Sequence, residues 1–312
     1  MDDRHLHYCN VKYIFDRARG RSQDVVMPDL IKPLAEPDLA IISALERELG
    51  IKIPPAEDFG GLFVPPGGFI VEGGRVAGLG FVGEPIYDVP DRIAELERLS
   101  VLVLADCGIE ELPETLGSCP ALRELHVWGN SLSAFPAAVW GCRSLERVNM
   151  SENSWQAFAP VTGSLPSVRE LDLSQNLLVE VGAGITGMHS LEFLNLWSNQ
   201  LSSLPEEVSN LHNLRVLDLG HNSFQVVPSQ VLELPLEELY LGYNALVTLL
   251  PDVQRLSRLR TLSLAGNPLA SLPESLLEMS TLAELEVPSC LRLDPVVIEL
   301  GDVAGVAVSF VS

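Results

Sequence analysis

Basic residues are scarce in this 312-residue chain: 20 Lys and Arg stand against 42 Asp and Glu, for a net charge of −22. Only three of the basic residues are lysines, Lys12, Lys32 and Lys52. A nucleic-acid binder needs a basic face to displace the phosphate counterions, so this balance excludes that class. It also disfavours docking on an anionic membrane. No apolar run reaches the ~18 residues of a membrane-spanning helix, and the N-terminal residues lack the apolar core of a secretory leader. Cysteine is sparse as well, with Cys9, Cys107, Cys119, Cys142 and Cys290 spread along the chain rather than clustered as in a secreted disulfide framework. A soluble, cytoplasmic protein is the expectation. Catalytic signatures are missing too: there is no Walker A sequence, HExxH, GxSxG or HxE…CxxC. No enzyme activity, cofactor or metal is therefore expected.

What the chain has in abundance is a repeat. Hydrophobic residues make up 47%, enough for a sizeable core. The pattern LxxLxLxx(N/C)xL begins at Val76, Leu99, Leu122, Leu145, Val168, Leu191, Leu214, Leu236, Leu259 and Leu282, with a step of 23 residues everywhere except a step of 22 from Leu214 to Leu236. Self-similarity at a fixed period is the signature of a solenoid. From the second frame onward the ninth position reads Cys107, Asn130, Asn153, Asn176, Asn199, Asn222, Asn244, Asn267 and Cys290. An Asn there can bond backbone groups of the turn after each strand, which would otherwise be buried and unpaired. The second half of many frames reads LPxx(L/V)xxL, as in LPEEVSNLHNL (Leu204–Leu214). That spacing suits a short helical turn opened by proline.

These motifs resemble the leucine-rich repeat family, over about two thirds of the chain, and in particular its intracellular 23-residue subclass with Scribble/erbin-like and plant Ras-group members, also found in bacteria and archaea. The resemblance implies an α/β solenoid: a horseshoe of about ten repeats with a concave parallel β-sheet and short helices or 3-10 turns on the convex side. It implies an intracellular binding role, with a small GTPase or its regulator as one candidate partner. Frame four (FAP, Phe158–Pro160), frame five (VGAG, Val181–Gly184) and frame eight (proline displaced to Pro251) depart from the pattern, so looser convex turns are expected there.

Both ends of a solenoid need caps. Residues 37–75 read as an N-terminal cap, with a helix over Pro37–Gly50 and a hairpin turning at Gly73–Gly74. Residues 76–290 hold the repeats. Residues 291–312 read as a C-terminal cap of helix and edge strand, because the leucine pattern lapses after Cys290. Residues 1–36 match no repeat and are expected to be a disordered tail, with Met27 a plausible native start. Cys119 and Cys142 fall in a column otherwise filled by Leu and Met, so they read as packed thiols. His189 and His212 lack the further ligands of a zinc site.

The positions that the frame leaves free point to the concave side. Stacking aligns them into columns at about strand spacing. Three groups stand out: His126 and Trp128, then Phe193 and Trp197, then Tyr240, Tyr243 and His221. Asn149, Asp172, Asn195 and Asp218 lie among them. The expected surface is a polar saddle between exposed aromatic shoulders, about 15 Å from Trp128 to Trp197. Trp and Tyr dominate binding hot spots, and the acidic surroundings call for a partner protein with Lys or Arg around apolar protrusions. A non-catalytic protein-recognition scaffold, monomeric itself, is the reading; carbohydrate or small-ligand binding, or a regulatory subunit of a separate enzyme, are the alternatives.

Overall fold

The computed structural model describes residues 34–56, 67–158, 163–302 and 304–311. The calls on residues 1–33, on Cys9 and on the start at Met27 lie outside them. Twelve strands form one sheet. A hairpin of β1 (Gly68–Glu72) and β2 (Arg75–Val82) opens it, and its turn at Gly73 and Gly74 runs at φ 61° and 83°, the primed geometry that glycine permits. Parallel strands follow: β3 (Val101–Ala105), β4 (Glu124–His126), β5 (Arg147–Asn149), β7 (Glu170–Asp172), β9 (Phe193–Asn195), β10 (Val216–Asp218), β11 (Glu238–Tyr240), β12 (Thr261–Ser263), β13 (Glu284–Pro288) and β14 (Ala307–Val311).

Each strand is one rung of the repeat, and the rungs are in register. Leu102, Leu125, Val148, Leu171 and Leu194 pair in succession along the sheet. The series continues through Leu217, Leu239, Leu262 and Leu285. All but Val148 in this row are fully buried, Val148 nearly so, and each buried leucine adds roughly 2 kcal/mol of transfer free energy. The 22-residue step changes none of this: Val216 pairs with Glu238 as squarely as Phe193 pairs with Val216.

The Asn column ties each rung to the one before. Asn199 Oδ1 accepts from Leu178 N–H (3.0 Å), while its Nδ2 donates to the carbonyls of Leu173 (3.0 Å), Leu196 (3.1 Å) and Trp197 (3.3 Å). Asn130, Asn153, Asn176, Asn222, Asn244 and Asn267 bond in the same way. Cys107 keeps the donor half of the role, its Sγ lying 3.5 Å from Phe81 O and 3.1 Å from Ala105 O. Cys290 does not act as a ladder residue. It is exposed and sits in a 3-10 turn, Ser289–Leu293, that replaces the usual bend after β13.

The convex side carries five-residue 3-10 turns, most of them with proline at the cap, as at Pro113, Pro136, Pro205, Pro228 and Pro273. Frames five and eight have the same five-residue turn as the rest, Ala183–Gly187 and Pro251–Arg255. The expected loosening is therefore absent there, because glycine at Gly182 and proline one place later serve as well as the usual cap. In frame four residues 159–162 lie outside the described set. Beside them β6 (Ala157–Phe158) pairs with β8 (Glu180–Val181), over a cluster of Phe135, Trp140, Trp155 and Phe158 with ring centroids 4.7 to 6.5 Å apart. Trp155 fills the place that Leu132 and Leu178 hold in adjacent rungs. Cys119 and Cys142 are buried, unbridged thiols, and burial pushes their pKa values up to about 11 and about 12.

Helix α1 (Glu36–Leu49) covers the first rung and stops at Gly50, which is left-handed at φ 69°. Asp38, on its first turn, is fully buried: Oδ2 accepts from Val76 N–H (2.7 Å) and Oδ1 from Arg75 Nε (3.0 Å). At the other end α2 (Pro295–Asp302) leads into β14, whose Val308 pairs with Leu285. That spacing is again 23 residues, so β14 forms an eleventh rung.

Candidate recognition surface on the concave face

The sheet pairing sets the concave columns side by side. One runs Val103, His126, Asn149, Asp172, Asn195, Asp218, Tyr240, Ser263, Glu286. Another runs Val101, Glu124, Arg147, Glu170, Phe193, Val216, Glu238, Thr261, Glu284. These side chains point away from the leucine core, yet several are covered. Phe193 is 6% exposed, Trp197 8% and Asn195 0%; Asn149, Asp172 and Asp218 are also buried. The expectation of freely exposed shoulders at Phe193 and Trp197 is corrected. Strands about 4.8 Å apart let neighbours in a column lie against each other. His126, Trp128, His221, Tyr240 and Tyr243 remain partly exposed.

The four amide and carboxylate residues of the first column have a local task that sequence reasoning missed. Each turns its Oδ1 to the backbone N–H two residues on: Asn149 to Ser151 (3.0 Å), Asp172 to Ser174 (2.9 Å), Asn195 to Trp197 (3.0 Å) and Asp218 to Gly220 (2.8 Å). They bend the chain out of each strand. Asn195 is buried between Asp172 and Asp218 of the adjoining strands, and its side chain bonds the Asp172 carboxylate. Burial raises the pKa of Asp172. Burial pushes Asp218 to about 7, aided by Asp172 and Glu286 against the Gly220 N–H bond.

The residue after Trp197 in the frame, and its equivalents, has a left-handed backbone. Asp106, Glu152, Gln175, Ser198, His221 and Tyr243 all lie at φ 51° to 56°, a region that costs a non-glycine residue strain. Gly129 and Gly266 occupy the same column at φ 68° and 64°. The mixture of Gly with Asp, His and Tyr at one frame position was the available sequence signal. The geometry aims each side chain at the next rung, so Tyr243 lies over Gly266 and Asp106 over Gly129. Trp197 meets His221 edge-on at 5.0 Å, and His221 stacks on Tyr243 at 4.3 Å and 21°. The second and third aromatic groups of the sequence reading are thus one continuous strip.

Trp128 lies three rungs away, beside an ionic group. Glu124 bonds Arg147 and lies 3.5 Å from His126. Burial raises the Glu124 pKa, but the bonds from His126 and Arg147 outweigh it and leave it near 2. Tyr240 OH donates to Glu238 (2.7 Å), and burial with the Glu238 charge raises the phenol pKa. No helix among the described residues is long and apolar enough to cross a membrane.

The fold and the repeat geometry define a leucine-rich-repeat solenoid. The leucine-rich repeat family model matches residues 189–246 and, overlapping, 212–269. Among solved structures, the plant peptide hormone receptor RGFR1 in complex with RGF2 is similar at 21% identity, TM-score 0.53, over 67% of this chain and 35% of that one. The LRR ectodomain of the Arabidopsis thaliana membrane receptor kinase GASSHO1/SCHENGEN3, in complex with CASPARIAN STRIP INTEGRITY FACTOR 2, is similar at 24% identity, TM-score 0.51, over 67% and 29%. An LRR protein of Leptospira interrogans matches at 22% identity, TM-score 0.47, over 71% of this chain and 69% of that one. The chain thus spans about a third of the plant receptors' length. No curated protein matches it.

Proposed function

We propose that this protein is a non-catalytic recognition module that holds a partner protein of basic and apolar surface on its concave face. The observation that carries the reading is the charge of that face. In rungs two to ten its four columns set Asp106, Glu124, Glu152, Glu170, Glu238, Glu284 and Glu286 against a single basic residue, Arg147, and Asp172 and Asp218 lie buried in the same sheet. Complementary charge steers a partner and selects it. Trp128, Tyr240 and the Trp197–His221–Tyr243 strip supply the apolar part. The two plant receptors were solved in complex with RGF2 and CASPARIAN STRIP INTEGRITY FACTOR 2, which supports a binding role for this fold. The subclass resemblance extends the reading to a cytoplasmic signalling partner such as a small GTPase. A sugar needs a free ring face to stack on, whereas Tyr243 lies between His221 and Gly266; the protein partner is therefore preferred.

The test is a pull-down from a source lysate with wild type and a Trp128→Ala/Glu284→Lys double variant, both checked for melting temperature. The wild type should retain proteins with basic surfaces, released by salt, and the variant should lose them. Identical capture by both would remove the concave face from the account.

A further inference from the structure

The repeats have a basic side that neither the core nor the concave face uses. Residues 76–290 hold ten arginines and no lysine. Arg147 lies on the concave face, and Arg92 and Arg255 lie on convex turns. The other seven all fall where the chain enters a strand, at the second frame position or the two places ahead of the first. Four glutamates share that strip. On the opposite flank, at frame positions ten to thirteen of rungs one to nine, there is no basic residue. A chain of net −22 thus gathers a positive surplus on one flank.

Three of the seven arginines hold the glutamate of the next rung: Arg123 pairs with Glu146, Arg169 with Glu192 (2.5 Å) and Arg215 with Glu237 (2.7 Å). The fourth glutamate, Glu97, pairs with Arg75 (3.5 Å). Every carboxylate of the strip is then taken. Arg98, Arg143, Arg258 and Arg260 are exposed and make no ion pair among the described residues. Arg98 stands in an open cleft of about 500 Å³ that Arg75 and Arg123 also line, against one carboxylate, Glu72. The small side chains of Ala77, Ser100, Ala121 and Ser144 leave the cleft its room. Arg143 adjoins it through Ser144, two rungs and so ~10 Å from Arg98.

We propose that this flank docks an extended acidic segment of a partner protein at rungs two to four, with one carboxylate on Arg98 and the next on Arg143. The spacing fits. An extended chain advances ~3.3 Å per residue, so carboxylates three residues apart match guanidinium groups two rungs apart. A guanidinium binds a carboxylate through two parallel N–H bonds, which orients as well as attracts. Arg75 and Arg123 already hold carboxylates of the protein, so the cleft offers one free guanidinium. That suits a singly charged carboxylate better than a doubly charged phosphate. Charge also selects the place: the concave columns set seven carboxylates against Arg147 and repel such a segment. The partner is opposite in charge to the one proposed for the concave face. One molecule can therefore hold both, and the flank site stands without the concave-face reading.

The test is fluorescence anisotropy of a labelled peptide of about ten residues, with Glu at every third place and Ser between, titrated with the full chain at fixed salt. Wild type should bind it saturably, with a Kd between about 1 µM and 1 mM. Arg98→Glu and Arg143→Glu should each weaken binding about tenfold or more. Arg258→Glu makes the same change of charge on rung nine and should leave the Kd unchanged. All three side chains are exposed and unpaired, so melting temperatures should hold. The Trp128→Ala/Glu284→Lys variant should keep the peptide, which separates this site from the concave face. No saturable binding by wild type overturns the proposal, as does an equal loss with Arg258→Glu. A preference of about tenfold for the same peptide with phosphoserine in place of Glu overturns it too.

Discussion

Trp197 lies across the α-carbon of Gly220: a methyl group added there would stand 2.9 Å from the indole Cδ1 and 3.1 Å from Asp218 Oδ1. The absence of a side chain on one rung therefore decides where the aromatic of the previous rung rests. Gly220→Ala should displace Trp197 from its contact with His221 and cost about 1–3 kcal/mol. Thermal unfolding and the near-ultraviolet circular dichroism of the indole measure both effects. An unchanged spectrum would show that the ring has another resting place.

Asp218 supplies a pH dependence with a definite sign. Its ordinary pKa is 3.8, and in the fold it stands at about 7. The folded state keeps a proton that the unfolded chain releases from about pH 4, so the stability it contributes is full below about pH 4 and is lost as pH rises through about 7. Asp172 shifts in the same direction. Asp218→Asn keeps the Oδ1 that accepts from Gly220 N–H and removes the charge. Its urea midpoint should exceed that of wild type at about pH 8, and the two should converge near pH 4. A gap of equal size at both values would refute the assignment.

Asn195→Asp makes a stronger demand on the same row. It would set three buried carboxylates on adjacent strands, Asp172 and Asp218 flanking the new one. The variant should unfold at lower urea than wild type at neutral pH and recover much of the difference in acid, as carboxylates protonate. Chemical denaturation at the two pH values checks it.

The ladder and the cap test the scaffold. Asn199→Ala removes the partner of Leu178 N–H and the donor to three carbonyls, for about 2–4 kcal/mol. Binding per folded molecule should not change. Asp38→Ala strips Val76 N–H and Arg75 of their shared acceptor and should cost about 3 kcal/mol, with fraying concentrated in rung one. Hydrogen exchange resolved along the chain separates that local loss from global unfolding.

Much of the scaffold was legible in the sequence because a 23-residue period leaves the leucines and Asn130 through Asn267 little choice: one register buries them all. The eleventh rung was not, because Val308 and Phe310 stand where leucines do elsewhere. Cys290 was misread since a ninth-position Cys looks the same whether a bend or a 3-10 turn follows. On the concave face the membership of each column was legible, but the contacts within it were not. Whether Trp197 faces solvent depends on Gly220, and whether Asp172 greets a partner or its own Ser174 N–H depends on a backbone angle. The first leaves no periodic mark; the second leaves only the run of Asn and Asp at Asn149, Asp172, Asn195 and Asp218, which does not say where those side chains turn.

The one short step in the repeat, from Leu214 to Leu236, has a wider consequence. Its missing residue is absorbed behind the sheet, near Leu234, whose ψ of 150° departs from the 59° to 102° at the other convex turn ends of rungs one to nine, while Val216 and Glu238 stay level. Insertions and deletions on the back of the arch are thereby insulated from its inner wall. A lineage carrying this architecture can lengthen or trim its loops, and separately rewrite its inner columns, without either change forcing the other.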